Sequence, residues 1–173
     1  MKNLKLKTSF LFGLILTLFT PQHVIADDPD FLTFSSGYFD FNRKKDESAE
    51  FRLEYRSNRK FFQFKPFFVG SIVTNGMNFW GGGILIDVYF GRKVVLTPSF
   101  APTLWFGETD DLDLGHVIEF RSQVEMAYRF EDRSRIGLSV SHYSNASLGS
   151  ENPGSESFML NYSVPFNSIK KIF

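Results

Sequence analysis

The stretch from Ser139 to Ser157, "SVSHYSNASLGSENPGSES", holds the residue types of nucleophilic catalysis within one short span. Ser144, His142 and Glu156 supply a hydroxyl, an imidazole and a carboxylate. A serine hydroxyl alone is too weakly acidic to attack an ester. A histidine can take its proton near neutral pH. A carboxylate on the other ring nitrogen fixes the tautomer and stabilises the imidazolium. Asn145 and Asn152 flank these three. Their side-chain N–H groups can donate to an oxyanion, a contribution on the order of 3 kcal/mol per donor.

The elements that would position these groups read as strands. Ile136, Leu138, Val140, His142 and Ser144 share one parity, so a histidine and a serine extend an apolar face. Gly115 to Phe130 alternates in the same way. Ile118, Phe120, Val124, Met126 and Tyr128 oppose Glu119, Arg121, Gln123, Glu125 and Arg129. "EFRLEYR" repeats the pattern, with Phe51, Leu53 and Tyr55 against Glu54 and Arg56. Eight such segments run at about 31–42, 49–57, 61–74, 78–90, 93–106, 115–130, 135–146 and 156–166. Several exceed the usual 5–6 residues of a soluble strand and suit a tilted bilayer crossing of about 9–11. Long connectors such as "RKKDES", "ETDDLDL" and "SLGSENPGS" alternate with short ones, "NGM" excepted. The expected fold is all-β, an eight-stranded antiparallel transmembrane β-barrel with a lumen filled by side chains. Trp80, Trp105, Phe106 and Tyr162 are expected in interfacial girdles, and Phe173 ends the chain. Pro66, Pro98, Pro102 and Pro165 leave the registers around them open. A soluble eight-strand barrel or sandwich is the competing fold. Its small core would have to absorb the Phe-rich faces of a chain with 22 phenylalanines.

Residues 1–26 read as a signal peptide, with Lys2, Lys5 and Lys7 before the apolar run Phe10 to Phe19 and "VIA" before Asp27. The barrel is expected over 27–173. Removing three lysines takes the formal net charge from zero to −3. No strongly basic face suggests nucleic acid. The absence of cysteine excludes disulfides, thiolate catalysis and Cys-ligated metal.

In a membrane barrel the apolar parity points to lipid. His142 and Ser144 then stand on the outer wall near a loop end. The lipid parity of the last strand, Phe158, Leu160, Tyr162, Val164 and Phe166, reaches Glu156 when continued backward. Serine, histidine and glutamate converge outside the barrel, where only a lipid presents an ester.

The segment "HYSNASLGSENPGSES" resembles the active-site segment of the lipid A 3-O-deacylases (PagL family), eight-stranded outer-membrane barrels. The family pattern is His-x-Ser-Asn with a Glu fourteen residues after the His, met here by His142, Ser144, Asn145 and Glu156. A second family asparagine, assigned to the oxyanion region, matches Asn152. The resemblance implies hydrolysis of the ester-linked 3-hydroxyacyl chain at position 3 of lipid A, with lipopolysaccharide of the outer membrane as partner and neither metal nor other cofactor. A homodimer stays open. Two other readings stand beside it: a non-enzymatic small outer-membrane barrel, and an outer-membrane phospholipase of the same chemistry. His116 reads as an exposed loop-end residue, "ETDDLDLG" as a solvated acidic loop or weak divalent site, and Arg43 to Lys45 as a solvated turn or a contact for anionic head groups.

Overall fold

A computed structural model describes residues 28–107 and 109–169. The expected signal peptide and Phe173 lie outside the described residues. The strands are β1 (Phe31–Phe39), β2 (Ser48–Arg56), β3 (Lys65–Val73), β4 (Asn78–Leu85), β5 (Val88–Phe90), β6 (Val94–Phe106), β7 (Ile118–Arg129), β8 (Arg135–Ser144) and β9 (Ser155–Pro165). A single helical turn, α1 (Phe166–Ile169), follows. Every pairing is antiparallel. β1 pairs with both β2 and β9, and β4 with both β3 and β6, so the sheet closes on itself. β4 and β5 both pair with β6 and form two halves of one barrel strand. The barrel therefore has the eight strands that the alternation predicts.

Most strand ends lie within three residues of the expected ones; two departures are larger, each for a visible reason. The third strand begins at Lys65 rather than near residue 61. Phe61 and Phe64 close a tight turn on each other, with Phe62 at a positive φ of 57°. The fourth strand is interrupted at Ile86 and Asp87. There the Asp87 carboxylate accepts from Lys65 Nζ at 2.8 Å, Thr97 Oγ1 at 2.7 Å and Arg135 Nη1 at 3.0 Å. Ile86 N still donates to Pro98 O at 3.1 Å, so the interruption is short, and three donors on one buried carboxylate offset it, because an unpaired buried charge would cost several kcal/mol.

The faces are inverted relative to a water-soluble sheet. Phe51 and Leu53 are 50% and 47% exposed, while Glu50, Arg52, Glu54 and Arg56 between them are buried. β7 repeats this, with Val124 and Met126 outside and Arg121, Gln123 and Glu125 inside. Each large apolar side chain gains roughly 1.5–3 kcal/mol on leaving water. A wall built of them requires an apolar medium, which is the condition of a transmembrane barrel.

Charge pairing fills the middle of the lumen. Arg56 contacts Glu54 at 2.8 Å and Glu125 at 2.7 Å, and Arg121 meets Glu54 at 2.6 Å. Glu119 departs from the expected pairing: it is buried, and its carboxyl has no hydrogen-bond partner among the described residues. Trp105 also departs from expectation. It is only 7% exposed and packs inside with Phe39, Phe79 and Tyr143, whereas Trp80, Phe106 and Tyr162 do face outward. The last strand residues alternate strictly, and Trp105 falls on the inward parity of β6.

Candidate active site

β8 and β9 are consecutive and antiparallel, and their register places His142 directly opposite Glu156. Directly opposed side chains on one face have Cβ atoms about 4.5–5.5 Å apart. That separation lets a glutamate reach an imidazole without bending either strand. His142 Nδ1 lies 2.9 Å from Glu156 Oε1. An ionised carboxylate only accepts, so Nδ1–H is the donor and the Nε2 lone pair is left free. The His142 side chain is 44% exposed and Glu156 only 15%. The pair therefore sits in the outer wall with the imidazole edge open.

Ser144, the last residue of β8, stands two positions beyond His142 on the same face. Successive same-face residues are about 6.5–7 Å apart along a strand. Among the described residues no hydrogen bond joins the Ser144 hydroxyl to the ring. Such bonds are often long before substrate binds.

The neighbours of this face leave room beside the imidazole. β7 places the small, exposed Ser122 opposite His142 and Phe120 opposite Ser144. The rings of Phe100 and Phe120 lie nearly parallel with centroids 5.8 Å apart. Ser122 was not singled out by the sequence reading. Its outward parity on β7 was legible, but its place beside His142 required the register between strands.

The two asparagines differ. Asn145 is fully buried, and its Nδ2 donates to Leu114 O at 2.9 Å and to Glu151 O at 2.7 Å. Its Oδ1 accepts from Ser147 N at 2.9 Å. The expectation that this side chain offers an N–H to an oxyanion is therefore corrected: both amide hydrogens are engaged by backbone carbonyls. Asn152 is exposed and its Oδ1 accepts from Asn145 N at 3.1 Å, while its Nδ2 has no partner among the described residues.

One further residue enters the site from outside the span Ser139–Ser157. Arg43, on the loop between β1 and β2, contacts Glu156 through Nε at 3.2 Å and Nη2 at 3.4 Å. Parity arguments apply to strands and carry no signal for a loop residue, so sequence patterning could not place it. His116 lies apart from this group and takes part in its own turn, accepting from Ile118 N at 3.0 Å. Among the described residues no cluster of three or more His, Cys, Asp or Glu is arranged to hold a metal ion.

An exposed imidazole oriented by a carboxylate, with a serine two residues along the same strand face, has the groups that acyl transfer by general-base catalysis needs. Comparison with known proteins bears on which acyl transfer. The chain is 34% identical to "Lipid A deacylase PagL" of Pseudomonas aeruginosa over 103 residues, covering 59% of this chain and 51% of that protein. It is 29% identical to "Lipid A deacylase PagL" of Bordetella bronchiseptica over 86 residues, covering 50% and 43% respectively. The chain thus spans about half the length of these relatives. The fold is similar to the crystal structure of the outer membrane enzyme PagL, with a TM-score of 0.64 at 17% identity, covering 79% of this chain and 99% of that one. It also resembles a de novo designed transmembrane β-barrel, with a TM-score of 0.52 at 12% identity, covering 79% and 95%. The family model described as lipid A 3-O-deacylase (PagL) matches residues 46–165, the larger part of the barrel together with the whole Ser139–Ser157 segment, and the chain belongs to that family.

Proposed function

We propose that this chain is an outer-membrane serine esterase that releases the ester-linked 3-hydroxyacyl chain at position 3 of lipid A. The observation that carries this reading is the 2.9 Å contact between His142 and Glu156 on the apolar outer wall of the barrel. A structural ion pair has no reason to sit on a lipid-facing surface, where an unmet charge is costly. A catalytic pair must sit there if the substrate is a membrane lipid.

The Ser144 hydroxyl attacks the acyl carbonyl while His142 Nε2 takes its proton. Glu156 holds the ring and stabilises the imidazolium. Asn152 Nδ2 donates to the oxyanion of the tetrahedral intermediate. The intermediate collapses, the sugar 3-oxygen leaves with the proton carried by His142, and the acyl group remains on Ser144. Water, deprotonated by His142, then attacks the acyl-serine; the bond to the Ser144 oxygen breaks, that oxygen takes the proton back from His142, and the fatty acid is freed. The apolar wall below His142, with Val140, Leu138 and Val124 exposed on it, is where the acyl chain would lie during attack.

The test is mass spectrometry of purified lipopolysaccharide after incubation with refolded protein in detergent. Wild-type protein is expected to remove one 3-hydroxyacyl chain. Ser144→Ala and His142→Ala are each expected to lose nearly all turnover, with little further loss in the double variant, because the groups act as a unit. Heat-modifiable gel mobility checks that each variant is folded. Folded Ser144→Ala with wild-type turnover would remove Ser144 as nucleophile. Cleavage of phospholipids with lipid A left intact would assign the same chemistry to a different lipid.

A further inference from the structure

We infer that Arg43 is a positioning residue that acts through Glu156, an inference that rests on the catalytic reading of the His142–Glu156 pair. The Arg43 guanidinium approaches both carboxylate oxygens of Glu156, with Nε at 3.4 Å from Oε1 and 3.2 Å from Oε2, and Nη2 at 3.4 Å from Oε1. The same Oε1 accepts from His142 Nδ1. Arginine, carboxylate and imidazole are thus joined in series across three separate segments of the chain.

The loop that carries Arg43 is tied to this end of β9. Phe41 N donates to Glu156 O at 3.3 Å. The buried Asp40 accepts from Ser155 Oγ at 3.1 Å, from Lys45 N at 2.7 Å and from Asp46 N at 3.0 Å. Thr109 Oγ1 donates to Asp46 at 2.6 Å from a third loop. The anchoring groups are backbone amides and the side chains of Asp40, Asp46, Thr109 and Ser155, so the loop keeps its shape without the Arg43 side chain. That side chain is 37% exposed. A pair this open contributes under about 1 kcal/mol to stability. Its consequence is orientational: without it, a glutamate at the end of a strand has several rotamers, of which only one or two face Nδ1.

Gly154 completes the arrangement. A Cβ at this position would lie 3.2 Å from His142 Cε1 and 3.4 Å from Arg43 Nη2. The glycine therefore sits in the gap between ring and guanidinium and lets them approach. The other faces of His142 present no further charge: β7 offers Ser122, and β8 itself offers Ser144 and Val140.

The experiment compares wild type, Arg43→Gln, Arg43→Lys, Glu156→Gln and Arg43→Gln/Glu156→Gln, refolded and checked by heat-modifiable mobility. Arg43→Gln is expected to lower kcat roughly tenfold with KM changed less than twofold, since the arginine acts on the base and not on bound lipid. Arg43→Lys is expected to recover at least half of the lost rate on a logarithmic scale. In the Glu156→Gln background, Arg43→Gln is expected to add nothing, because there is no carboxylate left to position. The downfield Nδ1 proton resonance of the His142–Glu156 hydrogen bond is recorded on the same proteins. It is expected to weaken or shift in Arg43→Gln and to persist in Arg43→Lys. A wild-type kcat in Arg43→Gln, a full additional loss in the Glu156→Gln background, or a loss confined to KM would overturn the inference. So would an unchanged Nδ1 resonance, whatever the activity. Wild-type protein that fails to deacylate lipid A, with an Arg43-dependent Nδ1 resonance, would instead remove the proposed substrate and leave the positioning role in place.

Discussion

Asn145 and Asn152 differ in what their side chains have left to give. Asn145 spends both amide hydrogens on carbonyls of two loops, Leu114 O and Glu151 O. Truncating it leaves the buried Leu114 carbonyl unmet, at a cost of roughly 1–3 kcal/mol, and releases the carbonyl of the exposed Glu151. Asn145→Ala is therefore expected to loosen the loop from Asn145 to Gly154, seen as faster proteolytic nicking there, and to lower turnover indirectly. Asn152 is exposed, and its Nδ2 has no partner among the described residues. Asn152→Ala is expected to cost 10²–10³ in kcat, the range for loss of one oxyanion donor, with nicking unchanged. Increased nicking in Asn152→Ala, or wild-type kcat, would reverse the two assignments. The shared face of the candidate residues was legible in the sequence to the extent that strand parity governs it. His142, Ser144 and Glu156 share a face because side chains alternate, and alternation survives errors in strand ends. The fate of an asparagine amide was not legible, because it depends on which carbonyl a neighbouring loop presents. Arg43 reads in the sequence as a solvated turn or head-group contact, and its pairing with Glu156 was not legible for the same reason: the two residues are 113 positions apart, and a loop has no period.

The hairpin β8–β9 does the positioning at the scale of elements, and its turn has a steric requirement. Gly154 adopts a φ of +64°, in the left-handed region that costs other residues about 1–2 kcal/mol. An added Cβ would also meet Tyr143 O at 2.9 Å and His142 Cε1 at 3.2 Å. The strain and the contact act together on the imidazole. Gly154→Ala is expected to lower turnover ten- to hundred-fold, since a displacement near 1 Å at a catalytic group can cost that much. Mobility on heating should be unchanged, because the residue lies outside the strands. Full activity in Gly154→Ala would show that the ring has more freedom than this packing allows. Strand number and face assignment were readable here because lipid and lumen impose opposite polarity on alternate residues. The breaks were not. Asp87 interrupts its strand for the sake of Lys65, Thr97 and Arg135, which lie on β3, β6 and β8. A local pattern contains none of those partners. Trp105 was misplaced by treating an aromatic near a strand end as a girdle residue, when its parity already pointed inward.

At the scale of the whole molecule the lumen is closed by two different chemistries. Toward the loops that carry the site, Phe39, Phe79, Trp105, Leu112, Leu114 and Tyr143 form a buried apolar cluster. The Phe79 and Tyr143 rings are 4.4 Å apart between centroids, and Phe39 and Phe79 are 5.9 Å apart. At the opposite end Arg135 meets Asp28 at 2.7 Å and Asp87 at 3.0 Å, and Lys65 meets Asp87 at 2.8 Å. Between them, Arg52 bonds Glu50 at 2.8 Å and Gln123 at 2.6 Å, and Arg56 bridges Glu54 and Glu125. An eight-strand barrel encloses little more than its own side chains. An ion entering this lumen would have to strip water, pass a ring of aromatic groups and break salt bridges whose partners would be left buried and unpaired, at 3–5 kcal/mol for each pair. The refolded protein in planar bilayers is therefore expected to show no steady conductance. The same closure ties the lumen to the site, because Tyr143, between His142 and Ser144 on β8, turns inward to bond Arg52 at 3.1 Å. Tyr143→Phe is expected to keep the barrel closed and folded, since the apolar cluster is retained and the loss is confined to the two hydrogen bonds of one hydroxyl, the one accepted from Arg52 and the one donated to Glu50 at 3.3 Å. A large, stable single-channel current from the wild-type protein would contradict the filled interior, and with it the separation of a sealed lumen from a working outer wall.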